Sequence, residues 1–239
     1  MNQSRPARPH HKLTEDGRRV REVLTYSRRG SRFTPKQQQA WDAYAERYVI
    51  AEESVDRPGF TLAGQFATVR PLIIEIGCGV GEATAPLAAA RSSYNVVGFE
   101  VWHPGVAETI GRLGELDVDN ARMCSVDAVW SMEHLVGGGE LAELWTFFPD
   151  PWHKKRHHKR RLVTPDFAAL VASRLEAGGV WRLATDWADY AEQMVEVLDA
   201  EPALSGGVVD RWADRPVTRF ERRGLAEGRA PVDLLYRKV

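Results

Sequence analysis

The sequence has few cysteines, no long apolar run and almost no net charge, and each of these absences excludes a class of protein. Two cysteines among 239 residues, Cys78 and Cys124, cannot form a disulfide framework and lack the spacing of zinc ligands. No apolar run approaches the roughly 18–20 residues that span a bilayer. The opening MNQSRPARPHHK is polar and basic, without the apolar segment of a secretory signal. We therefore expect a cytoplasmic protein.

The formal net charge of −1 would argue against a nucleic-acid partner if the charge were spread evenly along the chain. It is not, because residues 1–36 carry +7, residues 37–146 carry −10, residues 147–163 carry +5 and residues 164–239 carry −3. The chain is an acidic body with a basic N-terminal arm and a basic central loop. The arm is predicted to be disordered in isolation, and it is either an inert tail or a segment that orders on a phosphate backbone.

Short β-rich runs alternate with segments long enough for a helix, which predicts an α/β fold with a doubly wound, mostly parallel sheet. A helix is expected from Pro35 to Ile50, a second from Gly81-Glu82, and a later one from the cap signal Thr164-Pro165-Asp166. No internal repeat or second domain is evident. The predicted strands are Leu72–Ile76, Asn95–Phe99, Ala121–Val126, Leu144–Phe148, Val180–Ala184 and Val232–Tyr236.

Five of these strands end on a carboxylate. The residues are Glu75, Glu100, Asp127, Asp150 and Asp186. Equivalent ends of parallel strands share one edge of the sheet, which is where open α/β sheets bind ligands. Acidic residues there can also simply cap the following helices. Five carboxylates together beside a glycine loop favour a ligand-binding site. Because converging carboxylates repel each other, the site is expected to hold hydrogen-bond donors or a cation.

The glycine loop Gly77-Cys78-Gly79-Val80-Gly81 follows a strand, the context of a nucleotide-type cofactor site. Glu82 replaces the small sixth residue of the dinucleotide fingerprint, so a nicotinamide cofactor stays open but is disfavoured. A pyrophosphate would sit poorly among carboxylates, whereas the cationic sulfonium and ammonium of S-adenosylmethionine suit them. Glu100 is placed to accept from ribose hydroxyls. The loop therefore favours a methyltransferase.

The stretch from Phe147 to Arg161, FFPDPWHKKRHHKRR, joins one strand-end carboxylate to a run of cations. Two prolines stiffen the chain around Asp150, and Trp152 offers a face on which a base could stack. Six lysines and arginines follow within nine residues, which predicts a phosphate-binding surface. A solvated face or an import signal is the alternative. The histidines in this stretch are expected to be solvated, and no metal site is predicted.

Several motifs together resemble the bacterial tRNA (guanine-N7-)-methyltransferases. They are the glycine loop with Glu75, VGFE followed by Pro104-Gly105-Val106, FPDPWHKKRHHKRR, Thr185-Asp186-Trp187 and TRFERRG at Thr218–Gly224. The resemblance covers residues ~70 to ~237. It implies a Rossmann-like class I methyltransferase fold over residues 37–239, with the arm at 1–36 outside it. It further implies S-adenosylmethionine as donor and guanine 46 of the tRNA variable loop as target.

The resemblance also implies roles for individual residues. Asp150 would be catalytic and would contact the cofactor together with Glu75, Glu100, Asp127 and the glycines Gly77, Gly79 and Gly81. The tRNA would contact Lys154, Asp186, Thr218, Arg219, Phe220 and Glu221. One departure is Arg219, where the family usually has Lys; its planar fork can change a contact in detail. Another is Trp102-His103, at a position expected to line the pocket entrance.

Two other functions remain open from the residues alone: a nicotinamide-dependent oxidoreductase, and a non-catalytic RNA-binding module with a vestigial cofactor site. The sequence indicates no protein partner and no membrane, and it is compatible with a monomer or a homodimer.

Overall fold

The computed structural model describes Arg5, Ala7, Arg8, residues 24–26 and residues 30–239. The predicted disorder of the arm therefore falls mainly on residues outside the described part of the chain. Two described pieces near the start lie against the body. The Arg5 guanidinium donates to the carbonyls of Phe60 at 2.9 Å and His134 at 3.2 Å, and Arg8 forms an ion pair with Glu52 at 3.3 Å.

Helices and strands alternate along residues 35–238. In chain order they are α1 (Pro35–Tyr48), β1 (Val49–Ile50), β2 (Leu72–Ile76), α2 (Thr84–Ala90), β3 (Asn95–Phe99), α3 (His103–Glu115), β4 (Ala121–Cys124), α4 (Ala128–His134), β5 (Leu141–Phe147), α5 (Pro165–Arg174), β6 (Leu175–Thr185), α6 (Ala188–Asp199), β7 (Leu204–Val209), α7 (Arg219–Ala226) and β8 (Val232–Lys238).

The strands of the described chain form one sheet in the order β1-β4-β3-β2-β5-β6-β8-β7. All pairs from β1 to β6 are parallel, and β8 runs antiparallel to both β6 and β7. Sequence order reverses between β2 and β5, so a crevice is expected outside the carboxyl ends of these two strands. The predicted doubly wound, mostly parallel sheet is confirmed.

The sheet is covered on both faces, and its central strands are accordingly apolar. All five residues of β2 and all seven of β5 are buried, the pattern of parallel strands sandwiched between helices. One hydrophobic cluster contains Ile74 and Trp181, and the cluster on the opposite face contains Ile73 and Trp145. Because adjacent residues of a strand point to opposite faces, Ile73 and Ile74 belong to different clusters.

The predicted element bounds are confirmed for β2 and β3 and need correction elsewhere. Strand β4 ends at Cys124 rather than Val126, and β5 and β6 begin earlier than predicted, at Leu141 and Leu175. The helix after the glycine loop begins at Thr84, since the loop itself extends through Gly81. The Thr164 cap is confirmed, with its hydroxyl accepting from the Phe167 N–H at 3.3 Å.

Helix α1 begins at Pro35 as predicted, behind a Thr34 cap, but it ends at Tyr48, and the next two residues form β1. Within the ranges described above, no helix is both long and apolar enough to cross a membrane.

Candidate active site

A cleft opens at the carboxyl edge of the sheet, where β2 to β5 end. Asp127 stands between two lining residues, Val126 and Ala128, and Glu75 lines a smaller pocket beside the cleft. Asp186 and Lys154 do not line the cleft. The predicted residues that do line the cleft are Gly77, Gly79, Glu100, Asp150 and Phe220.

The glycine loop needs glycine at positions where the backbone turns left-handed and comes close to α3. Gly79 has φ +60° and Gly81 has φ +74°, a region that residues with a Cβ rarely adopt. A Cβ on Gly81 would lie 2.7 Å from the Thr109 side chain, too close for any larger residue. The predicted loop is therefore a tight turn that brings backbone N–H groups to the edge of the cleft.

Glu100 holds the glycine loop against the end of β3. One carboxylate oxygen accepts from the Gly79 N–H and the other from the Trp102 N–H, each at 2.8 Å. A carboxylate that accepts two backbone N–H bonds is fixed in position. Glu100 is thus a rigidly held side chain in the wall of the cleft.

Glu75 is the most deeply buried of the strand-end carboxylates, with 3 % of its surface exposed. Burial raises its pKa to about 7, and the nearby Glu100 carboxylate adds to this effect. The Thr84 hydroxyl donates to Glu75 at 2.6 Å, which opposes the rise without cancelling it. Near neutral pH this carboxyl therefore exchanges between its neutral and ionised forms.

Asp127 supports the alternative role of the strand-end acids, which is to cap the following helix. Its carboxylate accepts from the Trp130 N–H at 2.9 Å and caps α4. Capping and a position at the edge of the cleft are compatible here, because the cap places the carboxylate at the end of β4.

The backbone around Asp150 is unusual. Phe148 and Trp152, two residues on either side, have φ of +52° and +45°. Bulky residues rarely adopt this region, and such strain concentrates at functional sites. Phe148 is fixed by its N–H, which donates to the Ala184 carbonyl at 2.7 Å. The chain thus leaves β5 in a kinked path that places Asp150 in the wall of the cleft.

The basic stretch after Asp150 forms a short 3-10 helix, Lys155–Arg160, beside the cleft. Lys154, Lys155, Arg156 and Lys159 are exposed, as a phosphate-binding surface requires. Arg161 corrects the prediction, because it is 2 % exposed and pairs with Asp189 at 2.5 Å. It anchors the loop to α6 and is not part of the basic surface.

Trp152 is less open than predicted for a stacking platform. The Arg160 guanidinium lies 3.5 Å from the centroid of its ring. Arg160 also donates to the carbonyls of Leu24 at 2.8 Å and Tyr26 at 2.7 Å, and the Trp152 indole N–H donates to the Thr25 carbonyl at 3.1 Å. Thr25 and Tyr26 in turn line the cleft, a contribution of the arm that no sequence signal indicated.

The motif at Thr218–Glu221 forms the start of α7, which packs against the glycine loop. Thr218 caps this helix through the Glu221 N–H at 3.4 Å. Glu221 is 2 % exposed and accepts from Arg215 at 2.7 Å and Arg211 at 2.8 Å. Thr218 and Glu221 therefore shape the segment, while Phe220 reaches the cleft.

Asp186, at the end of β6, lies next to the middle of α7. It accepts from the Arg229 guanidinium at 2.7 Å, and Gly224 leaves it room, since a Cβ there would lie 2.5 Å from its Oδ2. The Trp187 ring beside it stacks on His153 with centroids 5.5 Å apart. This contact links the end of β6 to the basic loop.

Glu82 and Thr84 are the residues of this region that sequence reasoning missed. Thr84 donates to Glu75, and Glu82 accepts from the backbone N–H of Arg219 at 2.6 Å. The one available signal was that Glu82 replaces a small residue in the glycine fingerprint. This replacement argues against a dinucleotide, but it does not indicate a contact with α7.

A sequence-family model described as "Putative methyltransferase" matches residues 69–234. The chain is 70 % identical over 234 residues to a tRNA (guanine-N(7)-)-methyltransferase of Nocardioides sp., covering 98 % of this chain and 94 % of the relative. It is 47 % identical to the protein of the same name from Cutibacterium acnes, covering 93 % and 86 %.

A solved 16S rRNA methyltransferase, KamB, superposes with a TM-score of 0.52 at 15 % identity over 80 % of this chain and 98 % of its own. At that identity the likeness concerns the fold, which agrees with the predicted class I architecture. The sequence matches are far closer and cover nearly the whole chain. The chain therefore belongs to the tRNA (guanine-N(7)-)-methyltransferase family.

Proposed function

We propose that the protein transfers the methyl group of S-adenosylmethionine to N7 of guanine 46 in the variable loop of tRNA, in the cytoplasm. The observation that carries this proposal is the meeting, at the end of β5, of a cleft walled by Glu100 and Asp150 with the exposed cations that begin at Lys154. The relatives named above bear the same activity in their names.

The lining of the cleft fits S-adenosylmethionine better than a dinucleotide. Among the described lining residues there are two carboxylates and no lysine or arginine, and most of the others are apolar or aromatic. A pyrophosphate would face negative charge there, whereas a sulfonium and an ammonium would be attracted. Glu100 and Asp150 would hold the cofactor from the cleft, and Glu75 and Asp127 would do so from the adjoining strand ends.

When bound, S-adenosylmethionine would supply an electrophilic methyl group for the lone pair of guanine N7. Guanine N7 carries no proton, so the site needs no strong base. The protein's contribution is to hold N7 in line with the methyl carbon, and such orientation can supply up to about 7–11 kcal/mol. Asp150 would accept hydrogen bonds from guanine N1–H and the 2-amino group, which orients the base and stabilises the cationic product.

The remaining predicted residues would bind the tRNA. Lys154 and the exposed cations after it would contact phosphates, which makes binding dependent on salt. Arg219 and Phe220 would contact the target nucleotide. Asp186 and the buried Thr218 and Glu221 would shape the segment that presents these two residues. Arg219, in place of the usual Lys, donates from a planar fork.

Mapping the methylated nucleotide tests the proposal. Bulk tRNA is incubated with the protein and S-adenosylmethionine and then cleaved at N7-methylguanine, and a transcript with adenosine at position 46 serves as the control. We expect cleavage at position 46 only, and none in the control. Methylation at another nucleotide, or none at all, would overturn the proposal. Calorimetry with S-adenosylhomocysteine and with NADH distinguishes methyl transfer from hydride transfer. We expect S-adenosylhomocysteine to bind and NADH not to bind.

A further inference from the structure

One carboxylate, that of Glu82, joins the glycine loop to α7. Its Oε2 accepts from the Arg219 backbone N–H at 2.6 Å, and its Oε1 accepts from the Arg222 guanidinium at 2.6 Å. These partners lie 137 and 140 residues further along the chain. The Glu82 side chain is 18 % exposed and the Arg222 side chain is 56 % exposed, so the Arg222 end of the bridge is open to water and the end at the Arg219 N–H is the more shielded one.

The bridge completes the N-terminus of α7. The first N–H groups of a helix have no partner within it, and an anion there is stabilised by the helix dipole. Thr218 accepts from the Glu221 N–H, and Glu82 accepts from the Arg219 N–H. Burial opposes the ionisation of Glu82, but the Arg219 N–H and the Arg222 guanidinium outweigh it and hold its pKa below the ordinary value.

The residues fixed in this way form part of the cleft. The Phe220 ring lies 3.6 Å from where a Cβ of Gly79 would be, and the Arg219 guanidinium lies 3.8 Å from the same point. The Arg219 guanidinium also stands 4.9 Å from the Phe220 ring centroid and 6.0 Å from that of Trp102. The position of α7 therefore sets the wall that faces the glycine loop.

We propose that Glu82 is a positioning residue for methyl transfer. It holds the segment Thr218–Glu221 over the glycine loop, so that the target guanine is presented in line with the methyl donor. Glu82 does not line the main cleft and acts through α7, and its role rests on the function proposed above. Glu82, at the sixth position of the glycine fingerprint, therefore has the role of holding α7 in place.

The test compares Glu82→Ala and Glu82→Gln with the wild type at saturating tRNA and S-adenosylmethionine. For Glu82→Ala we expect kcat to fall about tenfold or more and the KM for tRNA to rise, because misplacement of about 1 Å can cost as much as about a hundredfold. The affinity for S-adenosylhomocysteine should stay within about threefold, since Glu82 lies outside the cleft. Glu82→Gln should lie between, because its amide oxygen can still accept from the Arg219 N–H.

Glu108→Ala is the matched control. Like Glu82, Glu108 connects two distant parts of the chain. It accepts a hydrogen bond from the Gln37 side chain at 2.7 Å and so joins α3 to α1. It lies away from the cleft. Its loss should leave kcat and both KM values unchanged. A general loss of tethering contacts would affect both variants alike, whereas a positioning role affects only the Glu82 variants.

Two outcomes would overturn the inference. One is a kcat of Glu82→Ala within about twofold of the wild type. The other is a parallel fall of kcat, S-adenosylhomocysteine affinity and melting temperature, which would mark a purely structural contact. If Glu82→Ala does not fold, a folded Glu82→Gln with wild-type kcat and KM decides against it. Failure of the proposed function is recognised separately, because the wild type itself would then not methylate tRNA.

Discussion

The buried Glu75 carboxyl predicts that both stability and cofactor binding depend on pH near neutrality. Its pKa is raised from 4.5 to about 7, first by burial and then by the Glu100 carboxylate. In the unfolded chain this carboxyl would ionise near the ordinary value. Between these two pKa values the folded protein therefore holds one proton more than the unfolded chain, and its stability must fall as the pH rises through this interval.

The size of the effect follows from the pKa difference. Each unit corresponds to about 1.4 kcal/mol, so a rise from 4.5 to about 7 corresponds to about 3 kcal/mol over the whole interval. Most of this change, about 2–3 kcal/mol, falls between pH 5 and pH 8. Glu75→Gln removes the titration and keeps an oxygen that can accept from Thr84. As the pH rises from 5 to 8, the free energy of unfolding of the wild type should therefore fall by this amount relative to that of Glu75→Gln.

Urea denaturation followed by tryptophan fluorescence, at pH 5 and pH 8, measures this difference. Thr84→Val is the informative companion, because the Thr84 hydroxyl lowers the pKa of Glu75 and its loss should move the midpoint to higher pH. Parallel pH profiles for the wild type and Glu75→Gln would show that Glu75 does not titrate near neutrality, and would refute the reasoning.

The same proton should couple to the ligand. A cationic cofactor favours the ionised carboxylate, so its binding below pH 7 should release a proton. The affinity should therefore increase by up to about tenfold for each unit that the pH rises toward 7. Calorimetry with S-adenosylhomocysteine, whose ammonium is cationic, in buffers of different ionisation enthalpy detects this proton. The affinity of Glu75→Gln should be weaker and flat over the same range. A wild-type affinity that does not change with pH would separate Glu75 from the cofactor.

Three further substitutions test the proposed site. Asp150→Asn should lower kcat by about a hundredfold while S-adenosylhomocysteine still binds, and near-normal turnover at saturating substrates would remove Asp150 from its role. Lys154→Ala should weaken tRNA binding and reduce the salt slope by about one, whereas equal loss of tRNA and cofactor binding would indicate collapse of the loop. Gly224→Ala should displace Asp186, because the new Cβ would lie 2.5 Å from its carboxylate; an unchanged KM for tRNA would show that the tRNA does not need Asp186.

How far the sequence predicts the fold depends on how local the cause is. Strands β2 and β3 could be predicted to the residue, because each contains a short apolar run typical of a buried parallel strand, at residues 72–74 and 96–97. Strand β5 begins three residues before its predicted start because it includes the buried Glu143. That carboxylate is paired with Arg91 at 2.9 Å and Arg182 at 3.4 Å, partners that no local pattern reveals.

The candidate site divides in the same way. Strand-end carboxylates could be found because a parallel sheet brings the ends of its strands to one edge, whatever the loops do. The role of each residue at that edge could not be predicted, because it depends on contacts with other parts of the fold. Glu221 is enclosed by Arg211 and Arg215, and Glu82 reaches α7. The Glu82 contact joins residues 137 positions apart, so no local pattern reveals it.

The ion pair between the buried Arg161 and the half-exposed Asp189 anchors the end of the basic loop that follows β5. On the function proposed above, a cationic cofactor favours a negative cleft, and the tRNA favours a positive surface within a few residues of Asp150. Arg161, the last cation of the run, is buried and does not belong to that surface. Asp189 and the Pro151 carbonyl instead hold Arg161, the latter at 2.8 Å, and fix the end of the loop to α6. Lys154 and Lys155 face solvent, so exposed cations lie beside a cleft whose described lining has two carboxylates and no lysine or arginine.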